Sequence, residues 1–247
     1  MFQCFHTDAK GTFEFRLLTE ERIEDALAVQ AKSMHQECIA NGVGMYEVPG
    51  APEEMLLVFR EVIKDGCTIV AIDTETKAVV AVAFNKLHTP LKDGETDELE
   101  VFVRNNIKHQ PCLNLIKLLT DMESKVDLFE KYNAEALMEI FYVGTDPTYQ
   151  GRQIGQKIIE KTIEFCRQFG STVENLPMLE ESRRGKLVTP TGIFGVFTSN
   201  YSQKIAANFQ FECLYELCYD DYYCNGRKLS DRIDVIHKTA KFAALRL

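Results

Sequence analysis

A chain of 247 residues, 45% hydrophobic and 26% charged, can bury a substantial core without staples, and its 14 glycines and 7 prolines exclude a collagen-like or linker-rich chain. Its 28 basic and 37 acidic side chains leave a formal charge of −9, which argues against broad nucleic-acid binding or a polybasic membrane patch, because both need a basic face. The apolar run that holds Val79–Phe84 is far too short to span a bilayer, and Met1–Lys10 lacks a signal core, so a cytoplasmic protein without nucleic-acid or membrane partners is expected.

Phe13–Leu18 alternates apolar with charged residues and predicts a first strand. Thr19 is a candidate N-cap, without the capping-box acid that Arg22 displaces. Ile23, Ala26, Leu27, Gln30 and Met34 then form one helical stripe, which the glycines at 42 and 44 break. Pro52 suits the first turn of a second helix reaching about Lys64, with Met55, Val58, Phe59 and Val62 inward and Asp65-Gly66 at its end. Cys67–Ile72 and Val79–Lys86 predict a hairpin about the polar turn Asp73–Lys77. Residues His88–Lys108 read as an exposed polar excursion, with Asp93–Glu100 a solvated acidic loop. Cys112–Lys131 reads as one long helix, so the insertion spans about 88–131.

Ala136–Val143 is mostly apolar, as expected of a buried central strand. A turn over Gly144–Gly155 leads into a helix from Ile154 to Phe169, which Gly170 stops. Ser171–Pro190 is a polar connection in which Arg183 and Arg184 read as an exposed pair. Thr191–Phe197 is a strand, Ser199–Phe209 a short helix capped by Ser199, and Phe211–Tyr219 a strand. Asn225-Gly226 marks a turn, and Ile233–Leu247 returns as the last strand. No repeat or linker divides the chain, so one mixed α/β domain over residues 1–247 is expected. The eight cysteines form no C-x-x-C pair and no zinc-finger spacing with histidine, which predicts reduced, structural thiols and no metal site.

The segment from Glu139 to Gly155 carries the chemistry. A strand runs into a glycine-bearing turn and then into a helix, whose first N–H groups are unpaired and suited to a phosphate. The spacing is neither a Walker A loop nor G-x-G-x-x-G. Val143-x-x-Asp146-Pro147-x-Tyr149-Gln150-Gly151-Arg152-x-Ile154-Gly155 resembles the acetyl-coenzyme A loop of the GCN5-related N-acetyltransferases, whose pattern is Arg/Gln-x-x-Gly-x-Gly/Ala. Gln150 and Gly155 match its first and last positions. Gln153 replaces the middle glycine, which a side chain allows if φ is negative there.

Further segments resemble the insect arylalkylamine N-acetyltransferases. Met34-His-Gln-Glu37-Cys-Ile-Ala-Asn41 is similar to a family segment, Asp-Glu-Pro-Leu, whose glutamate is the general base. Thr198-Ser-Asn-Tyr-Ser202 through Phe211 is similar to a Ser-x-x-Tyr-Ser helix ending in Gly-Phe, with Gln210 in place of that glycine. Ile236-His-Lys-Thr239 echoes a Pro-His-Thr motif.

The resemblance implies a central, mostly antiparallel mixed sheet of about seven strands flanked by helices and splayed between the fourth and fifth main strands. It implies acetyl-coenzyme A as co-substrate, a small primary amine of arylalkylamine type as acceptor, and direct attack without a covalent enzyme intermediate. Glu37 would deprotonate the amine, and backbone N–H groups near Phe141–Val143 would hold the oxyanion. Ser202 or Tyr201 would supply the leaving thiolate's proton. Thr198 and His237 complete the catalytic set, and Phe141, Tyr142, Val143, Gln150, Gly151, Arg152, Gln153, Ile154, Gly155 and Asn200 the coenzyme set. The alternatives are a polyamine- or agmatine-type enzyme, a protein N-acetyltransferase, or a low-turnover acyl-coenzyme A-binding protein.

Overall fold

Phe13, Phe15 and Leu17 alternate inward along the second strand of the sheet, as the sequence pattern requires. The computed structural model describes residues 6–7, 11–92, 94–172 and 176–247. Its strands are β1 (His6–Thr7), β2 (Phe13–Leu17), β3 (Ile69–Asp73), β4 (Val79–His88), β5 (Leu137–Thr145), β6 (Gly192–Phe197), β7 (Glu212–Cys218), β8 (Tyr223–Cys224), β9 (Arg227–Lys228) and β10 (Thr239–Arg246). Its helices are α1 (Ile23–Met34), α2 (Cys38–Gly42), α3 (Ala51–Ile63), α4 (Glu98–Asn106), α5 (Gln110–Glu123), α6 (Leu128–Tyr132), α7 (Ile154–Thr172) and α8 (Asn200–Asn208).

The main sheet runs β1-β2-β3-β4-β5-β6-β10-β7. The two-residue β1 aside, it has the seven strands expected. Every neighbouring pair is antiparallel except β5–β6, which is parallel and joined by the long crossover through α7. Apolar side chains fill both faces. Leu27, Ile39, Phe59 and Leu118 from α1, α2, α3 and α5 pack on one, and Ile158, Ile163, Phe165 and Phe169 from α7 on the other. Each such fully buried side chain contributes about 1.5–3 kcal/mol. The seven described cysteines are free. Burial pushes the Cys38 and Cys112 thiols up to about 12 and holds Cys67 well above the ordinary thiol range, so these stay protonated and inert.

The element boundaries differ from the sequence reading in places that matter. The first helix stops at Met34, not at the glycines. Glu37 takes an extended conformation (φ −76°, ψ 127°) and its own side chain caps α2. The polar excursion contains α4, which Asp97 caps. Asp97 also pairs with Lys86 at 2.7 Å, so this part of the acidic run is not a solvated loop; Asp93 lies outside the described residues. The single long helix over Cys112–Lys131 is two, because Asp127 caps a new start by accepting the Glu130 N–H at 3.1 Å. Gly170 does not end α7. It lies inside the helix where a Cβ would come within 2.9 Å of Thr189 Oγ1. The last strand begins at Thr239, because Asp234 turns the backbone before it, accepting from Ile236 N–H and His237 N–H.

Gly144 positions the site. A Cβ there would collide with Ser33 Oγ, so its absence lets α1 lie directly on β5. That close approach brings the corner between α1 and α2, with Glu37 in it, to the middle of the sheet.

Candidate active site

Parallel pairing of β5 with β6 covers only Leu137↔Gly192, Met138↔Ile193 and Glu139↔Phe194. On the other side of β5, Tyr142 pairs with Phe84 and Ile140 with Asn85, which leaves Phe141 as an extra residue. This is a β-bulge, and it bends β5 away from β6 where their pairing ends. The strands splay, and a cleft of about 1630 Å³ opens between them. Phe141, Tyr142, Val143, Gln150, Gly151, Gln153, Ile154 and Gly155 line it, as do Glu37, Thr198, Ser202 and His237. The structure thus brings together residues from four separate stretches of chain that the family resemblance singled out.

Two of the named residues stand apart. Arg152 is not in the lining; its guanidinium lies over the Tyr149 ring, 4.8 Å from the centroid. Asn200 donates its side-chain amide to Ile236 O and its backbone N–H to His237 Nδ1 at 3.2 Å. It therefore orders the rim through His237.

Glu37 is half-buried in the cleft wall, and both its oxygens are engaged. Oε1 accepts from Ile39 N–H at 3.1 Å and Thr198 Oγ1 at 2.7 Å, while Oε2 accepts from Ala40 N–H at 2.5 Å. A carboxylate offers about four lone-pair positions, so about one is left for a proton from outside. Burial raises its pKa above the usual glutamate range, and the bonds from Ala40, Thr198 and Ile39 only partly oppose it. Thr198 is held in turn by Tyr219, whose hydroxyl donates to Thr198 O at 2.5 Å. Tyr219 is fully buried and went unread in the sequence, since nothing local links it to a residue 21 positions earlier.

Around the turn, Asp146 receives the Thr148 N–H and hydroxyl and pairs with Lys32 at 2.9 Å, which ties the turn to α1. Gln150 reaches across to Gln36 at 2.7 Å. Gln153 corrects one expectation: its φ is +62°, not negative. Gln210, the second glutamine standing for a family glycine, has the same φ of +62°. Both keep the left-handed path that glycine adopts freely, at a steric cost of about 1–2 kcal/mol.

The residues at this turn fit a pyrophosphate. α7 is 19 residues long and has no acidic side chain in its first turn to compete for the N–H groups. A Cβ at Gly151 would meet nothing within 4 Å, and one at Gly155 nothing nearer than 3.8 Å, so the mouth of the helix is open. Acetyl-coenzyme A bound there would supply an activated thioester.

At the rim, Ser199 caps α8. Ser202 completes a capping box, accepting from Ser199 N–H at 3.1 Å and donating to Ser199 O at 3.0 Å. Its hydroxyl proton is therefore spent on the backbone. Tyr201 is exposed and stands edge-on to His237, with ring centroids 5.5 Å apart. Arg183 is not part of an exposed pair. It is buried against Glu61 and Asp65 near the end of α3 and lies 3.1 Å from Glu98 at the start of α4. Arg184 is exposed, with Glu181 at 2.7 Å.

Residues 120–181, which contain β5, the turn and α7, match the family model described as the acetyltransferase (GNAT) family. Over that segment the chain is similar to the GNAT acetyltransferases. Its fold is similar to that of several solved insect structures. A putative arylalkylamine N-acetyltransferase 7 from the yellow fever mosquito aligns at 16% identity and TM-score 0.74, over 100% of this chain and 95% of that one. A mosquito arylalkylamine N-acetyltransferase-like 5b aligns at 18% and 0.71, over 96% and 100%. A Drosophila melanogaster polyamine N-acetyltransferase, which catalyses formation of N-acetylagmatine, aligns at 15% and 0.67, over 95% and 100%. At these identities the likeness is one of fold. No curated protein matches the sequence. Among the described residues no helix is long and apolar enough to cross a membrane.

Proposed function

We propose that this acetyltransferase moves the acetyl group of acetyl-coenzyme A to a small primary amine by direct attack, with Glu37 as general base. The observation that carries the reading is Glu37 itself: a carboxylate with a raised pKa, fixed by three hydrogen bonds, in the wall of a cleft that opens where β5 and β6 part. A protonated amine is no nucleophile, and a base poised nearer neutrality than an ordinary glutamate takes its proton more effectively. Thr198 and Tyr219 hold that base in position. Backbone N–H groups at the Phe141 bulge are the candidates for the oxyanion. With the Ser202 proton committed to its cap, Tyr201 is the better candidate to protonate the departing thiolate.

The coenzyme reading is supported by the open start of α7 and the family match over it. The arylalkylamine acceptor expected from sequence is one form of this function. The other, an amine with a second positive charge, is favoured by carboxylates in the far wall of the cleft, among them Glu123. The experiment is thiol release from acetyl-coenzyme A by the full chain with tryptamine, dopamine, agmatine, putrescine and a short peptide at equal concentration. Turnover of small amines ahead of the peptide is expected. Acetyl-coenzyme A binding without thiol release on any amine would replace the enzyme by a binding protein.

A further inference from the structure

The cleft continues past the splay to a second, smaller cavity of about 350 Å³. His88, Glu123, Asp127 and Phe129 line both, so these side chains form the neck between them. Beyond the neck the small cavity is walled by Leu137, Phe194 and Phe242, with the two phenylalanine rings edge to face at 6.0 Å. A role for the neck in choosing the acceptor rests on the proposed amine acetylation, with the amine at Glu37 in the main cleft that shares these lining residues with the smaller cavity.

The charges at the neck do not balance. Lys86 is taken by Asp97 at 2.7 Å, and His88 by Glu139 at 2.7 Å. Asp127 is occupied in capping α6. Glu123, the last residue of α5, has no hydrogen-bond or ion-pair partner among the described residues. Glu123 is half-buried, and it lines both cavities. Burial and the neighbouring Glu139 both push its carboxyl well above the ordinary range, while Lys86 acts weakly the other way. A carboxyl set beside a second acid with no partner of its own favours a cation that joins it, because the cation stabilises its charged form.

We propose that Glu123 is a specificity-determining residue that pairs with the distal ammonium or guanidinium of a dicationic amine, whose end occupies the phenylalanine-walled cavity. The two ends of such a substrate meet opposite demands. The end at Glu37 must lose its proton to attack, and the end at Glu123 must keep its charge to bind. An uncharged tail satisfies the apolar walls but leaves Glu123 unpaired.

Isosteric substrates test this without any variant. Diaminopentane and hexylamine differ only in whether the far end is an ammonium or a methyl group. Wild-type kcat/KM is expected to favour diaminopentane and agmatine over hexylamine by about 30-fold or more, the scale of losing one partner from a desolvated charge pair. Glu123→Gln, nearly identical in shape, is expected to remove that preference, mainly through KM for the dications, and to leave hexylamine unchanged. A wild-type preference for hexylamine or tryptamine overturns the proposal, as does an equal loss on every amine in a folded Glu123→Gln protein. If that variant does not fold, the wild-type ratio decides alone. Brisk turnover of monoamines without a preference for dications sinks the role of Glu123 only, whereas no turnover of any amine sinks the enzymatic reading beneath it.

Discussion

The two sides of the cleft are built differently. The proposed coenzyme side is one continuous stretch, β5 through α7, and offers backbone groups that a strand, a turn and a helix start present in fixed order. The acceptor side is assembled from α2, α4, α5 and the approach to β10, and depends on side chains that meet across long separations. Thr198 reaches Glu37 over 161 positions, and Arg183 reaches Glu61 over 122. The difference teaches where variation is tolerated. Glutamine at 153 follows the path of the family's glycine, so the turn survives the exchange of a side chain. No comparable substitution is available to Glu37, whose carboxylate is both cap and candidate base.

The largest effect is expected at the junction of the two sides. Glu37→Gln should lower turnover by roughly 10²–10⁴, as for a lost general base, while a thermal shift shows acetyl-coenzyme A still bound. The base acts only when deprotonated, and its pKa is raised. Wild-type turnover should therefore fall as pH drops through a value above the ordinary 4.5, and the variant should lack that limb. Near-wild-type turnover at neutral pH would move the role, with His237 next because it also lines the cleft.

A large loss is also expected behind the acceptor wall, this time in stability. Arg183→Ala strands Glu61 and Asp65, both largely buried, and unties α4 from α3; a loss of about 3–5 kcal/mol in denaturant unfolding is expected. A loss under about 1 kcal/mol would show the pairs to be solvated, as surface pairs are.

The smallest effect is expected on the coenzyme side. Gln153→Gly relieves a left-handed residue but loosens the unfolded chain, so a net gain of no more than about 1 kcal/mol in unfolding free energy is expected, with acetyl-coenzyme A affinity kept. Gln153→Val should lower both, because a branched side chain is a poor occupant of that conformation. Weaker coenzyme binding by the glycine variant would mean that the glutamine side chain itself touches the ligand, and the contrast between the two sides would blur.

The same division separates the features that the sequence determined from those it did not. Strand alternation in Phe13–Leu17, the helical stripe of α7 and the turn before it depend on neighbours within a few residues, so periodicity and glycine spacing were enough to find them. Glu37 was legible through a family likeness, but its setting was not. The sequence put it at the end of a helix, whereas its side chain begins one, because a carboxylate that can accept two N–H groups ahead of it competes with continuing the helix behind it. Asp127 divided the apparent long helix for the same reason. Only the tertiary structure decided the rest. The splay needs the Phe141 bulge, which appears only when β4 is paired with β5. Arg183 is buried because acids from α3 and α4 converge on it, although its own segment is polar throughout. Among the described residues Glu123 has no partner, because Lys86 and His88, the nearby basic side chains, are claimed by other acids. Such outcomes depend on which charges folding brings together and which it leaves over, a count that no local pattern in the chain contains.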